Sequence, residues 1–76
     1  MNKVTAVNVA TKAELTFLDV TPKHAAQYGV AEQRGKLSQF FLMSPQERDV
    51  AYPCTTDPDG AVWCQDWVAT EERMGD

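Results

Sequence analysis

The chain has few of the residues on which metal binding and catalysis usually depend. Its 76 residues include two cysteines and a single histidine. A structural zinc site takes about four ligands, and a Cys-His catalytic pair needs a third group to orient the base. The sequence has no glycine-rich phosphate loop, His-Glu-x-x-His or Gly-x-Ser-x-Gly motif. We therefore expect a protein that is not an enzyme and uses no metal or cofactor.

Long apolar runs are also missing. No stretch approaches the roughly 20 apolar residues of a membrane-spanning helix, and residues 1–20 have neither the charged start nor the apolar block of a signal peptide. We expect a cytoplasmic protein without membrane contact. The reducing cytoplasm favours free thiols at Cys54 and Cys64, although the hairpin register given below would accept a disulfide between them.

Basic residues are scarce in the second half of the chain. Residues 1–38 carry five basic and three acidic side chains, whereas residues 39–76 carry two basic and eight acidic ones, and the net charge is −4. Nucleic-acid binding relies on several Lys or Arg contacts to phosphates, so this charge disfavours it and favours a basic protein surface as partner. The alternative is that the carboxylates only keep a small domain soluble.

The clearest local signal is the turn sequence Asp57-Pro58-Asp59-Gly60. Pro58 presets the second position of a type I turn, and Gly60 supplies the positive φ that closes a three-residue hairpin loop. Pairing of Asp57 with Ala61 then fixes the register of both strands. The sequence predicts a hairpin over about residues 54–57 and 61–68.

This register places Cys54 directly opposite Cys64 at a non-hydrogen-bonded pair, where Cβ atoms come closest. It also puts Trp63 and Trp67 together on one face of the hairpin. The opposite face carries four residues: Tyr52, Cys54, Val62 and Cys64. Either face is compatible with a buried position.

Two further strands are indicated by apolar alternation at period two, over residues 4–10 and 15–20. The first presents Thr5, Val7 and Val9 on one face, which suits a half-buried strand. The segment between the two strands lacks Gly, Pro and Asn, so a hairpin is favoured by pattern but has no turn chemistry of its own.

Helix signals occupy the middle of the chain. Thr21-Pro22 predicts a helix start with Gly29 as its end, and Ser44 with Glu47 forms a capping box that begins a helix from 45 to about 51. Residues 30–43 have two interpretations. One is a helix from about residue 31, either continuous or broken at Gly35, that delivers Phe40 and Phe41 to the core, and the other is a third strand over 37–43.

These elements predict one α+β domain over residues 1–76. We expect a small single-layer antiparallel sheet of about four short strands, including the C-terminal hairpin, packed with two or three short helices. Residues 1–3 and the tail 70–76 carry no obvious anchor, so both ends are predicted to be mobile.

Residues 25–30 resemble the first helix end and glycine turn of helix-turn-helix DNA-binding proteins. Ala25 and Gly29 match the family spacing, but the apolar residue expected six positions beyond the glycine is replaced by Gly35 and comes two positions late, at Leu37. The resemblance implies a DNA-binding regulator that uses residues 22–43. Its recognition helix would carry Glu32, Gln33, Arg34 and Lys36.

We favour a non-enzymatic module that binds a larger protein and modulates or inhibits it. An exposed aromatic face rimmed by carboxylates is typical of a protein-binding patch. The expected contacts are Trp63, Trp67, Asp57, Asp59 and Asp66, with Lys3 and Lys12 as a second surface. By analogy, small acidic domains are often phage or mobile-element products that block a host machine such as RNA polymerase or a defence nuclease.

Overall fold

Helices cover one face of a five-stranded antiparallel sheet in the computed structural model, which describes residues 2–73. The strand order is β2-β1-β5-β4-β3. In chain order the elements are β1 (Asn2–Asn8), β2 (Glu14–Leu18), α1 (Pro22–Gln33), α2 (Leu37–Leu42), α3 (Pro45–Ala51), β3 (Thr55–Thr56), β4 (Val62–Cys64) and β5 (Trp67–Arg73). The predicted α+β class is confirmed, with five strands where about four were expected.

Strand β1, which lies between β2 and β5, buries the face opposite to the expected one. Val4, Ala6 and Asn8 are completely buried, whereas Thr5 and Val7 lie half-buried on the uncovered face of the sheet. Both faces of this strand have period-two alternation, so the pattern alone does not choose between them. Packing of α1 against the even-numbered residues decides the orientation.

The side chain of Asn8 supplies the turn chemistry that the β1–β2 connection otherwise lacks. Its Oδ1 accepts hydrogen bonds from the backbone N–H groups of Ala10 at 2.9 Å and Thr11 at 3.0 Å. This Asx-type turn explains how a connection without Gly or Pro reverses direction. The residue that makes the turn is thus the last residue of β1, outside the segment in which turn residues were sought.

Helix α1 continues through Gly29, which was expected to end it. A Cβ built on Gly29 would lie 2.5 Å from Cδ2 of Trp67, so the glycine allows the indole ring to pack directly on the helix backbone. The absence of a side chain here serves close packing. The predicted helix end at residue 28 is therefore wrong.

Gly35 provides the helix end instead. It adopts φ 67, its N–H donates to the carbonyl of Glu32 at 3.0 Å, and the N–H of Lys36 donates to that of Ala31 at 2.8 Å. This pair of bonds is a Schellman motif. The predicted break at Gly35 is confirmed, and α2 follows it in place of a strand.

The two short helices after Gly35 bury little. Phe40 is completely buried, but Phe41 is 57% exposed, so only one of the two phenylalanines expected in the core reaches it. The capping box of α3 is confirmed by hydrogen bonds in both directions between Ser44 and Glu47. Helix α3 has no buried residue.

The predicted register of the β3–β4 hairpin is confirmed. Thr55 pairs with Trp63, and the N–H of Asp57 donates to the carbonyl of Ala61 at 2.9 Å. The second strand ends earlier than expected, because a turn at Gln65 and Asp66 starts another hairpin.

This second hairpin pairs Cys64 with Trp67 and Trp63 with Val68. Since paired residues share a face of the sheet, the two tryptophans lie on opposite faces. The expectation that Trp63 and Trp67 share a face is wrong. Trp67 and Cys64 face α1, and Trp63 faces away from it.

Both ends of the described chain belong to the sheet. Asn2 and Lys3 pair with β5, and Lys3 also pairs with Leu18 of β2. Residues 70–73 form the second half of β5. The anchor missing from the sequence pattern is thus supplied by strand pairing, while residues 1 and 74–76 lie outside the described residues.

Candidate functional site

Large apolar side chains are exposed on α2 and α3. Leu42, the last residue of α2, is 87% exposed, and Val50 of α3 is 83% exposed. Together with Phe41, Met43 and Ala51 they form what we call the α2–α3 surface. Single exposed apolar residues are ordinary, but a cluster on a soluble monomer usually marks an interaction site.

A groove of about 440 Å³ lies within this surface. It is lined by Met43, Gln46, Glu47, Val50 and Ala51. These residues occur at spacings of three and four, so one face of α3 and Met43, two residues before the helix, form the wall. The flexible Met43 side chain suits a surface that adapts to a partner's apolar groups.

Arg48 holds α3 against α2. Its Nε donates to the carbonyl of Phe40 at 2.9 Å, and its guanidinium lies 4.3 Å from the centre of the Phe40 ring. This hydrogen bond and cation–π contact use the inner side of α3. The outer side, with Val50, is left for other contacts.

Gln27 connects α1 to the end of α3. The side chain is buried, at 3% exposure, and its Nε2 donates to Oδ1 of Asp49 at 3.1 Å and to the carbonyl of Tyr52 at 3.0 Å. An ion pair of 3.1 Å joins Lys23 to Asp49 on the surface beside it. Because a buried amide is costly unless it is hydrogen-bonded, these contacts fix the position of α3.

The carboxylates of α3 are charged at neutral pH. Hydrogen bonds with the backbone and side chain of Ser44 lower the pKa of Glu47. Hydrogen bonds from Lys23 and Gln27 lower the pKa of Asp49. Glu47 thus places a negative charge on the wall of an otherwise mainly apolar groove.

Trp67, which we expected to contact a partner, is a core residue. It is 4% exposed, its ring packs on Gly29, and its Nε1 donates to Oε1 of Gln33 at 3.0 Å. The same oxygen accepts from Nδ2 of buried Asn8 at 3.1 Å. The sequence pattern mistook a core residue for a surface one because it missed the turn between the tryptophans.

Trp63 and Asp57 interact with each other. The indole Nε1 donates to Oδ2 of Asp57 at 3.2 Å, while Oδ1 accepts from the N–H groups of Asp59 and Ala61, each at 3.0 Å. The hydrogen bond from Trp63, followed by those from the turn backbone, lowers the pKa of Asp57. Asp57 therefore holds the turn together, and Trp63 is half-buried on the uncovered sheet face.

The remaining predicted contacts lie at two separate ends of the sheet. Asp66 lies in the β4–β5 turn beside the β1–β2 connection that contains Lys12, as shown by a 2.9 Å hydrogen bond from the N–H of Val9 to the Asp66 carbonyl. Lys3 and Asp59 lie toward the opposite end, which the strand register defines. The structure does not bring the seven residues into one site.

Both cysteines are free thiols. Burial, above other effects, raises the pKa of half-buried Cys54, and it raises the pKa of buried Cys64 to about 12. The thiolate is the nucleophilic form, so both side chains are protonated at neutral pH. Cys64 of β4 is a core residue, and Cys54 packs against the core.

A second, smaller cleft of about 190 Å³ lies between α1 and α3 and includes His24 in its wall. Neither cysteine lines it. Burial and the nearby Arg48 lower the pKa of His24, so the imidazole is neutral at pH 7. Its ring lies 5.6 Å from that of Phe40, which makes it part of the aromatic packing.

The helix-turn-helix resemblance does not extend to the structure. Gly29 lies inside α1 and forms no turn. The residues expected to form a recognition helix, Glu32, Gln33, Arg34 and Lys36, instead span the end of α1 and the turn that follows it. The expected recognition helix is therefore wrong.

Within residues 2–73, no group of three or more His, Cys, Asp or Glu side chains is arranged to hold a metal ion. No helix in the same range combines the length and the apolar character needed to cross a membrane.

No protein-family model matches the chain, and no curated protein or solved structure matches it.

The sequence analysis did not predict the α2–α3 surface, although one apolar run indicated exposed residues there. Phe40-Phe41-Leu42-Met43 is a run of four large apolar residues. In a helix these side chains point in directions about 100° apart, so one helix face cannot bury them all. A helical interpretation of the run therefore already required some of them to be exposed.

Proposed function

We propose that this chain is a protein-binding module that contacts a larger partner through the α2–α3 surface and modulates its activity. The observation that carries the proposal is the exposure of Leu42 at 87% and Val50 at 83%. Moving such side chains out of water stabilises a complex by about 1.5–3 kcal/mol each. The same residues contribute little to the fold, which leaves binding as their main energetic effect.

The partner we propose has apolar side chains flanked by Lys or Arg. Glu47, ionised at neutral pH, lines the groove beside Val50. The net charge of the chain is −4. A basic partner would be attracted over distance and oriented by this charge, while the apolar contacts supply affinity.

The test compares capture of proteins from a bacterial lysate by four immobilised forms of the chain. These are the wild type, Leu42→Lys, Val50→Lys and the matched control Val9→Lys. Val9 is also apolar and partly exposed, at 41%, but lies in the β1–β2 connection. Circular dichroism and thermal unfolding establish that each form is folded.

We expect at least one protein that the wild type and Val9→Lys retain and that both α2–α3 variants lose. Isothermal titration of that protein should then show binding weakened by about tenfold or more in Leu42→Lys and Val50→Lys. Retention that is equal in all four forms would contradict the proposal. So would a loss of binding in Val9→Lys alone.

A further inference from the structure

Strand β2 forms an unprotected edge of the sheet. Natural edge strands are usually short, bulged, or protected by Pro or Lys, because unpaired backbone groups otherwise pair with another chain. The opposite edge, β3, is protected by having only two residues. The five residues Glu14–Leu18 include no Pro, Gly or Lys.

Hydrogen bonds beyond the two ends of β2 show which residues point toward β1. The N–H of Asn8 donates to the carbonyl of Ala13 at 2.9 Å, and the N–H of Asp19 donates to that of Asn2 at 3.1 Å. Both belong to the β1–β2 register. Hydrogen-bonded pairs alternate along an antiparallel ladder, so the odd-numbered residues of β2 direct their backbone groups at β1.

The even-numbered residues therefore direct theirs away from the sheet. These are Glu14, Thr16 and Leu18, and all three side chains are exposed. Leu18 is 57% exposed. The free edge thus offers three N–H and three C=O groups in a regular row, next to an uncovered apolar side chain.

We propose that β2 pairs with β2 of a second copy of this chain, antiparallel and about a two-fold axis that passes through Thr16. Thr16 then lies opposite Thr16 of the second copy, and Glu14 lies opposite Leu18 on each side. This register hydrogen-bonds every outward backbone group of β2 in both copies. It also avoids placing like charges opposite each other.

The charged residues at the two ends of β2 favour antiparallel over parallel pairing with a second copy. The backbone leaves the strand conformation at Lys12, with φ 68, and at Asp19, with φ 60. Antiparallel pairing about Thr16 places the Lys12 end of each β2 beside the Asp19 end of the other copy's β2. Parallel pairing would instead place like charge beside like charge.

The helix-covered face is self-complementary as well. Leu15 and Phe17 are half-buried and pack at the margin of the core. In the proposed register each Leu15 lies opposite Phe17 of the second copy, which covers the exposed part of both side chains. Because the shared edge is short, we expect a weak dimer with a dissociation constant in the micromolar range.

Sedimentation velocity from about 1 to about 500 µM protein tests the dimer. We expect the average mass to rise from that of the 8.5 kDa monomer toward twice that value. Thr16→Pro removes the outward N–H at the axis while leaving the bonds to β1, since edge strands tolerate Pro on their free side. It should weaken dimerisation by about tenfold or more, whereas Thr16→Val should not.

A wild type that stays monomeric throughout this range would overturn the proposal, as would equal dimerisation of Thr16→Pro. If Thr16→Pro does not fold, Leu18→Glu takes its place, because it puts a carboxylate directly opposite Glu14 of the second copy, and like charges in opposed positions destabilise strand pairing. Val50→Lys separates this proposal from the proposed function: it should dimerise like the wild type, and loss of the dimer in that variant would overturn the β2 pairing.

Hydrogen exchange gives a measurement on the unaltered chain. The amides of Glu14, Thr16 and Leu18 should exchange more slowly as protein concentration rises. The amide of Leu15, bonded to β1, should be protected at every concentration. Exchange at the three outward amides that does not change with concentration would contradict the proposed pairing.

Discussion

Helix α1 and the α2–α3 segment distribute their apolar residues in opposite ways. Apart from Gln27, the buried residues of α1 are small, namely Ala25, Ala26, Gly29, Val30 and Ala31. The α2–α3 segment buries Phe40 but leaves Leu42 and Val50 exposed. Small residues allow the helix to approach the sheet closely, and Trp67 fills the space that they leave. Large residues outside the core contribute very little to the fold, and we propose that their effect is on binding.

Removing one large side chain from the contact with α1 and one from the α2–α3 segment should change the free energy of unfolding by very different amounts. Trp67→Ala should reduce the free energy of unfolding by about 3–5 kcal/mol, because it leaves a cavity against Gly29 and removes the hydrogen bond from the indole to Gln33. Leu42→Ala should change it by no more than about 0.5 kcal/mol. Urea denaturation measures both values. Comparable losses in the two variants would show that the α2–α3 segment is part of the core.

For Gly29→Ala, close packing predicts a loss of stability, whereas helix propensity alone predicts a gain. Gly to Ala within a helix normally stabilises by about 1 kcal/mol. Here the new Cβ would lie 2.5 Å from the Trp67 ring, so Gly29→Ala should instead destabilise by about 1–3 kcal/mol.

A double-mutant cycle checks the cause of this effect. In the Trp67→Leu background, which lacks the indole ring, Gly29→Ala should cost less than it does in the wild type. Equal effects in the two backgrounds would place the strain elsewhere. A stabilised Gly29→Ala would show that the helix and Trp67 are not in the close contact described.

The smallest effect concerns the boundary between the two regions, where His24 of α1 packs against Phe40 of α2. Burial, and then Arg48, lowers the pKa of His24 below its ordinary value of 6.5. The unfolded chain therefore binds this proton more readily than the folded one. Stability should be lost as the pH falls from 6.5 through the pKa of the folded state.

Unfolding measured between about pH 8 and pH 5 tests this direction. His24→Gln removes the titrating group, so the difference between wild type and variant isolates its contribution. The carboxylates with lowered pKa titrate at lower pH and cancel in this difference. A wild type that gained stability relative to the variant on acidification would contradict the burial of the imidazole.

Local signals in the sequence predicted the parts of the fold that depend on neighbouring residues. The capping box of Ser44 and Glu47, the break at Gly35 and the register set by Asp57 and Gly60 are all confirmed. Each depends on hydrogen bonds or φ angles within about five residues, where the chain itself supplies every partner.

The candidate site was predicted less well. Trp67 was placed on the surface, and Leu42 and Val50 were not identified. Whether a residue is exposed depends on which segments pack against it, and the missed turn at Gln65 moved Trp67 to the other face of the sheet. The apolar run from Phe40 contained a usable signal, but its two alternatives, helix and strand, expose different residues.

By itself the sequence determined the turn from Asp57 to Gly60, the N-terminal helix caps, the charge and the α+β class, since these follow from short-range geometry and composition. Only the tertiary structure decided that Gly29 lies within a helix under Trp67, that β1 buries Val4 and Ala6, and that the edge of β2 is open. Those outcomes depend on which distant segments meet, because helix and strand patterns permit more than one face to be buried until a packing partner covers one of them.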